Sequence, residues 1–210
     1  MRKLYIVGTP IGNLKDITLR ALEILKSVDV ILAEDTRVSR KLLSHYGISK
    51  RVLRYIHGKD FSNYESVAFL TDAGTPGISD PGTALVRDLM EKDFEIIAVP
   101  GPSALAAAVS ISDIELSDFI FFGFPPAKKG RQKFFKKISM QELPVILYES
   151  PHRISKTMKE ILEICGDRYV NIGRELTKIH EEMFRGKISE ALNYFVGEKM
   201  RGEFIIIISL

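Results

Sequence analysis

Asp72-Ala73-Gly74-Thr75-Pro76-Gly77-Ile78-Ser79-Asp80-Pro81-Gly82 directly follows the apolar run Val67-Ala68-Phe69-Leu70-Thr71. A short apolar run bounded by turn residues reads as a buried parallel strand, and Thr83 to Met90 reads as the helix after it. The glycines and prolines in between contribute nothing to packing. They permit positive φ, stiffen the loop and leave backbone N–H groups free beside a helix start. In open α/β sheets ligands bind outside the carboxyl ends of strands, so this is a candidate binding loop.

The arrangement recurs along the chain. Leu4-Tyr5-Ile6-Val7 runs into Gly8-Thr9-Pro10-Ile11-Gly12-Asn13, and Phe94 to Val99 runs into Pro100-Gly101-Pro102-Ser103. Phe119 to Phe122 runs into Gly123-Phe124-Pro125-Pro126, and Pro144 to Tyr148 into Glu149-Ser150-Pro151-His152. A single such loop is usually only a turn. The repetition points to a pocket walled by backbone and suited to a small polar ligand.

With 210 residues, 45% of them apolar and 27% charged, the chain is ordinary for a globular protein that buries a proper core. Its apolar runs fall short of the roughly 18 residues of a membrane helix, and Met1 to Val7 reads as a first strand, not a signal peptide. The expected location is the cytoplasm, with no membrane partner. The lone Cys165 excludes an intramolecular disulfide and a cysteine-based zinc site, and its place at the end of an amphipathic helix favours a buried thiol. His180-Glu181-Glu182 lacks the second histidine of a zinc-protease motif, so no metal site is expected.

The net charge is only +3, but it is unevenly spread. Thr36 to Lys59 holds no acid and includes Arg37, Arg40, Lys41, Lys50, Arg51, Arg54 and Lys59. Phe119 to Gln141 also lacks acids and carries the run Lys128-Lys129-Gly130-Arg131-Gln132-Lys133-Phe134-Phe135-Lys136-Lys137. Such stretches are either solvated helix faces or contacts for phosphates.

Helical periodicity covers Thr18 to Lys26 and Arg37 to Tyr46, with Val28 to Ala33 as a strand between them. Ser103 to Ile111 is an alanine-rich helix. The pattern breaks between Ser110 and Asp118, which places a domain boundary near Glu115 and predicts domains at 1–114 and 115–210. Beyond it come strands at 119–123, 145–148 and 169–173, helices at 153–165 and 189–196, a charged segment at 174–182 and a last strand, Glu203 to Ile208. Strand and helix alternate in both halves, which predicts two α/β units. A dinucleotide site is partly mimicked by Gly8, Gly12 and Glu34, but the glycine spacing is wrong and the helix starts too late. The residues alone therefore imply a polar ligand, a ribose among the options, and no more.

Several motifs carry a resemblance. They are Val7 to Thr18, Ala33-Glu34-Asp35-Thr36-Arg37, Thr71 to Gly82, Val99 to Ala104, Gly123 to Pro126, Tyr148 to Ile154 and Arg174-Glu175-Leu176-Thr177-Lys178. In these the chain resembles the ribosomal RNA small subunit methyltransferase I family of the tetrapyrrole methylase superfamily. The resemblance implies a two-domain α/β fold of the tetrapyrrole methylase (class III S-adenosylmethionine methyltransferase) type, with the cofactor cleft between the domains. It implies methyl transfer from S-adenosylmethionine to the ribose 2′-hydroxyl of a cytidine in 16S rRNA, free or in the 30S subunit, and a homodimer. Two departures accompany it: the segment from Arg54 to Val67 is short, and many relatives extend beyond the position of Leu210.

By the same analogy Pro10, Asp72, Ala73, Gly74, Thr75, Ile78, Pro100, Gly101, Ser103 and Ala104 bind the cofactor from the first half. Gly123, Phe124, Pro125 and Phe204 do so from the second. A hydroxyl nucleophile benefits from a base, and Glu34, Asp35, Glu149 and Glu175 are the catalytic candidates, with His57 also near a strand end. Glu34 or Asp35 is expected to orient the nucleotide, and Glu149 or Glu175 to support the nucleophile. Arg37, Lys128, Lys129, Arg131, Arg153, Arg174 and Lys178 are RNA-binding candidates; Arg37, Arg153, Arg174 and Lys178 serve equally well as partners of those carboxylates. A methylase of a tetrapyrrole precursor on the same fold is the main alternative, and an RNA-binding module without cofactor is a third.

Overall fold

The computed structural model describes residues 1–80 and 82–209; Pro81 of the glycine-rich loop and Leu210 of the second expected domain lie outside the described residues. The chain divides into two compact units, Met1–Ser103 and Ala104–Leu210.

In the first unit β1 (Arg2–Val7) leads through a 3-10 turn (Leu14–Asp16) to α1 (Leu19–Ser27), β2 (Val30–Ala33), α2 (Thr36–His45) and β3 (Val52–Arg54). Then come β4 (Ser66–Leu70), α3 (Gly82–Met90) and β5 (Phe94–Val99). The strands form one parallel sheet in the order β3-β2-β4-β1-β5. Every residue of β2 is buried, as a strand covered on both faces requires. On one face Ile31, Ala33, Ala68 and Leu70 pack with Ala21 and Leu25 of α1 and Leu42 and Leu43 of α2. On the other, Leu4, Leu32, Val67 and Phe69 pack with Leu85 and Leu89 of α3 and with Phe61. Thr18 caps α1 by accepting from the Ala21 N–H at 3.1 Å, the pattern a serine or threonine ahead of an apolar periodic stretch predicts.

The second unit opens with α4 (Ala104–Ser110), β6 (Ile120–Gly123), α5 (Arg131–Ser139), β7 (Val145–Glu149) and α6 (Ile154–Cys165). It continues with β8 (Tyr169–Arg174), β9 (Glu182–Lys187), α7 (Ile188–Tyr194), a 3-10 turn (Gly197–Met200) and β10 (Phe204–Ile208). The sheet order is β6-β7-β10-β8-β9, with β6 and β7 parallel and the remaining pairs antiparallel. The all-apolar β10 lies in the middle, buried throughout. Phe135 of α5, Ile161 of α6 and Ile188 of α7 join Phe204, Ile206 and Ile208 in one core. Cys165 belongs to that core as a buried free thiol, its Sγ 3.6 Å from the Phe135 carbonyl.

Three sequence expectations differ from this. The units divide after Ser103, not near Glu115, because α4 packs on β10 and the Leu105 N–H donates to the Tyr148 hydroxyl at 3.2 Å. The three-residue β3 is too short to show a period. β9 begins where the charged segment ends: as an edge strand it packs Phe184 against Tyr194 and Phe195 and keeps its charges outside.

Candidate functional site

Parallel order puts the carboxyl ends of β4, β1 and β5 side by side, so their loops meet at one sheet edge. The Gly8 N–H donates to the Val99 carbonyl at 3.0 Å. Thr9 and Gly74 exchange backbone hydrogen bonds at 2.9 and 3.1 Å, and the Thr75 hydroxyl donates to the Pro102 carbonyl at 3.0 Å. Gly8 and Gly101 touch backbone to backbone: a Cβ on Gly8 would stand 2.7 Å from the Gly101 Cα. The loops that carry Pro10, Asp72, Ala73, Gly74, Thr75, Pro100 and Gly101 thus meet at one edge. Ser103 ends this unit, and Ala104 starts α4 of the other.

The long loop is held by backbone conformation. Gly74, Gly77 and Ser79 have φ of 80°, 93° and 63°, and Asp80 Oδ1 accepts from the Gly77 and Gly82 N–H groups, both at 2.8 Å. Asp72 and Ala73 stay exposed and Ile78 half-buried. Sequence reasoning missed Asp80, although an Asp flanked by turn glycines is the usual signal of such a side-chain-to-backbone turn.

Glu34 and Asp35 extend from β2 toward this loop, and the Asp35 N–H donates to Asp72 Oδ1 at 3.1 Å. Asp35 caps α2 by accepting from the Arg37 N–H at 2.8 Å, and Arg37 Nη2 reaches its Oδ2 at 2.6 Å. These Arg37 hydrogen bonds hold the Asp35 carboxyl well below the usual range, at about 2. Glu34 is the opposite case. Burial pushes its carboxyl up, and the neighbouring Asp72 and Asp80 carboxylates push it further, against one N–H donated by Asp72. His57 lies apart, paired with Asp88 of α3 at 2.8 Å, and the same Asp88 accepts from the Tyr55 hydroxyl. Burial and Asp88 push that tyrosine up to about 12.

In the second unit the expected ligand residues are bound to one another. Glu149 is 1% exposed: its Oε1 meets Arg153 at 2.8 Å and its Oε2 accepts from the Thr157 hydroxyl at 2.6 Å. Arg153 also donates to the Pro125 carbonyl at 2.9 Å. Arg131, expected on RNA, is 4% exposed, ion-paired with Glu160 and donating to Thr157 at 2.8 Å. That expectation is corrected: its guanidinium is a structural cation facing inward from a basic run. Arg174 is likewise committed, to Glu182 at 2.8 Å and to the Arg201 carbonyl at 2.6 Å. Lys178 bridges Glu175 at 2.7 Å and Glu203 at 3.1 Å. For Arg153, Arg174 and Lys178 the structure thus supplies the carboxylate partners that the sequence left as one of two options.

Burial pushes the Glu175 carboxyl up, but Lys178 and the Glu203 N–H more than offset this, and it lies below its ordinary value. Phe204 is a core residue, 3% exposed with its ring 5.5 Å from that of Phe195. Gly123 takes φ 64°, Pro125 is buried, and Phe124 is 48% exposed with its ring 5.5 Å from Tyr148. Lys128 and Lys129 are exposed. Among the described residues no group of three or more His, Cys, Asp or Glu is placed to hold a metal.

Comparison with known proteins places this geometry. Residues 3–192 match the family model described as tetrapyrrole (corrin/porphyrin) methylases. The chain is 46% identical to the ribosomal RNA small subunit methyltransferase I of Thermotoga maritima, covering 100% of this chain and 99% of that one. It is 41% identical to the protein of that name from Synechocystis, with 98% and 78% covered. Among solved structures, a putative diphthine synthase from Entamoeba histolytica matches with a TM-score of 0.71 at 18% identity, over 100% of this chain and 93% of that one. Cobalt precorrin-4 methyltransferase, a cobalamin biosynthetic enzyme, matches with a TM-score of 0.65 at 21% identity, over 99% and 94%. At such identities the two structures bear on the fold alone.

Proposed function

The chain belongs to the tetrapyrrole methylases and, within them, to the ribosomal RNA small subunit methyltransferases I, and from that premise we propose that it methylates the ribose 2′-hydroxyl of a cytidine in 16S rRNA. It is an S-adenosylmethionine-dependent methyltransferase of ribosomal RNA. The observation that carries the finer reading is the edge of the first sheet, where three backbone loops meet beside the carboxylates Glu34, Asp72 and Asp80.

The residues present suit the cofactor. Its sulfonium and ribose hydroxyls favour a site rich in carboxylate and carbonyl oxygens, and its own carboxylate favours free N–H groups at a loop. The loops of Thr9, Gly74 and Gly101 bring backbone carbonyls and N–H groups to one edge, with the Thr9 and Gly74 N–H groups spent on each other's carbonyls. Pro10, Asp72, Ala73, Thr75 and Pro100 line the same edge. When bound, the cofactor supplies the methyl group and leaves as a thioether.

The proton of the accepting hydroxyl needs an acceptor. Asp35 is held ionised by Arg37 and is a weak base, while Glu149 is spent on Arg153 and Glu175 on Lys178. Glu34, with its carboxyl raised and no cation on it among the described residues, is the better matched base. The expected division of labour thereby shifts: Glu34 takes the proton, and the other three acids shape the chain. General-base assistance is typically about 10²–10⁴-fold, so Glu34→Gln should lower kcat by that factor while S-adenosylmethionine still binds. Unchanged kcat would remove Glu34 from the reaction.

The reading as a whole is tested by transfer of labelled methyl from S-adenosylmethionine to unmodified 30S subunits, with naked 16S rRNA in parallel and digestion to nucleosides. Label in 2′-O-methylcytidine is expected; label on a base, or none in RNA, would overturn the stated position. The resemblance also supports a homodimer, which sedimentation of the purified protein tests.

A further inference from the structure

Beside the strand-end loops, the first unit carries a shallow groove lined by Leu14 and by Arg37, Arg40, Lys41, Ser44 and His45 of α2. The helical residues follow the spacing that keeps side chains on one face, and all of them are exposed. Arg37 is paired with Asp35; among the described residues Arg40, Lys41 and His45 have no carboxylate within ion-pair reach. Helix electrostatics accounts for only part of this. The negative carboxyl end of a helix favours a cation such as His45 in the last turn, but it gives no reason for Arg37 in the first turn or Arg40 in the second. Like charges gathered on one face without acids are unfavourable unless something anionic occupies the face.

The position narrows the occupant. Asp35, which caps α2, donates its N–H to Asp72 of the cofactor loop, so the groove starts at the edge of the proposed reaction site. From Arg37 to His45 it extends about 12 Å at 1.5 Å per residue, the reach of a few consecutive phosphates. We propose that this α2 groove holds the phosphate backbone of the RNA strand flanking the nucleotide to be methylated, with Arg40 and Lys41 as the main grips. The inference rests on the functional reading above and adds a positioning surface to it. Such contacts are independent of base sequence and set register and orientation.

The test uses the full chain with Arg40→Gln and Lys41→Gln combined. Both side chains are exposed, so the fold should tolerate the change. Binding to naked 16S rRNA and to unmodified 30S subunits is measured across a salt series, with KM for methyl transfer and the affinity for S-adenosylmethionine alongside. Each phosphate contact to a single strand contributes about 0.7 to the slope of log K against log salt, so losing two should flatten it by about 1.4. KM for RNA should rise and cofactor affinity should stay as it was. Arg20→Gln with Lys26→Gln, an equal charge loss on the exposed side of α1, should leave the slope alone. An unchanged slope and KM in the α2 variant would overturn the proposal, and so would weakening by the α1 control of the same size. Loss confined to 30S subunits, with naked RNA unaffected, would also overturn it and assign the groove to a ribosomal protein. If the unmodified enzyme methylates no RNA at all, the functional reading itself fails; if it does and the α2 variant binds and methylates RNA just as the parent does, this inference fails alone.

Discussion

Gly8 and Gly101 approach so closely that either Cβ would enter the other's backbone, and backbone, unlike a side chain, cannot turn away. Gly8→Ala should therefore destabilise the first unit by about 1–3 kcal/mol in denaturant unfolding and weaken S-adenosylmethionine binding as well. A variant of native stability and affinity would show that the loops are free to separate. Two glutamates give opposite pH signatures. Glu34 is raised in the folded state, so its ionisation opposes folding as pH rises above its ordinary value of 4.5. Glu34→Gln should then be the more stable protein at neutral pH, with the advantage vanishing in acid. Glu175 is lowered, so its contribution is present above its ordinary value and lost as pH falls through the folded one. Glu175→Gln should be less stable at neutral pH and equal to the parent in acid. Unfolding curves at several pH values check both, and curves of the same sign would refute the placement of one of the acids.

At the scale of elements, the start of α5 shows how a basic run misleads. Arg131 sits at the first residue of α5 among Lys128, Lys129, Lys133, Lys136 and Lys137, and nothing in the sequence separates it from them. In the structure it alone of these turns inward, to Glu160 and Thr157, and Thr157 in turn donates to Glu149. Removing one partner of such a pair leaves a buried charge, so Arg131→Ala should cost about 3–5 kcal/mol. Replacing both Arg131 and Glu160 by methionine removes the stranded charge and should cost much less. If the single and double replacements prove equally damaging, the network is not what holds α5 to α6. The loops were read more successfully than the charges. A glycine-proline loop after an apolar run has few conformational options, whereas an arginine's role depends on which residue distant in sequence its helix happens to face.

For the molecule as a whole, a net charge of only +3 understates its attraction for a polyanion. The cations are concentrated on α2 and around α5, with Arg40, Lys41, Lys128 and Lys129 all exposed. Binding to rRNA should therefore fall linearly on a log–log salt plot with a slope of several times about −0.7, and a slope near zero would mean that these surfaces stay out of the complex. The sequence by itself determined that there would be two α/β units, where most strands and helices lie, that loops rich in glycine and proline follow β1, β4 and β5, and which family the motifs resemble. These are local matters: periodicity, turn chemistry and contiguous motifs are written along the chain. Only the tertiary structure decided that the units divide at Ser103, that Phe204 belongs to the core, that Glu149, Arg131, Arg153 and Arg174 are spent on one another or on neighbours, and that Glu34 stands apart with its carboxyl raised. The physical reason is that burial and electrostatic partnership are properties of residues brought together from distant positions, and charge type alone does not specify the partner.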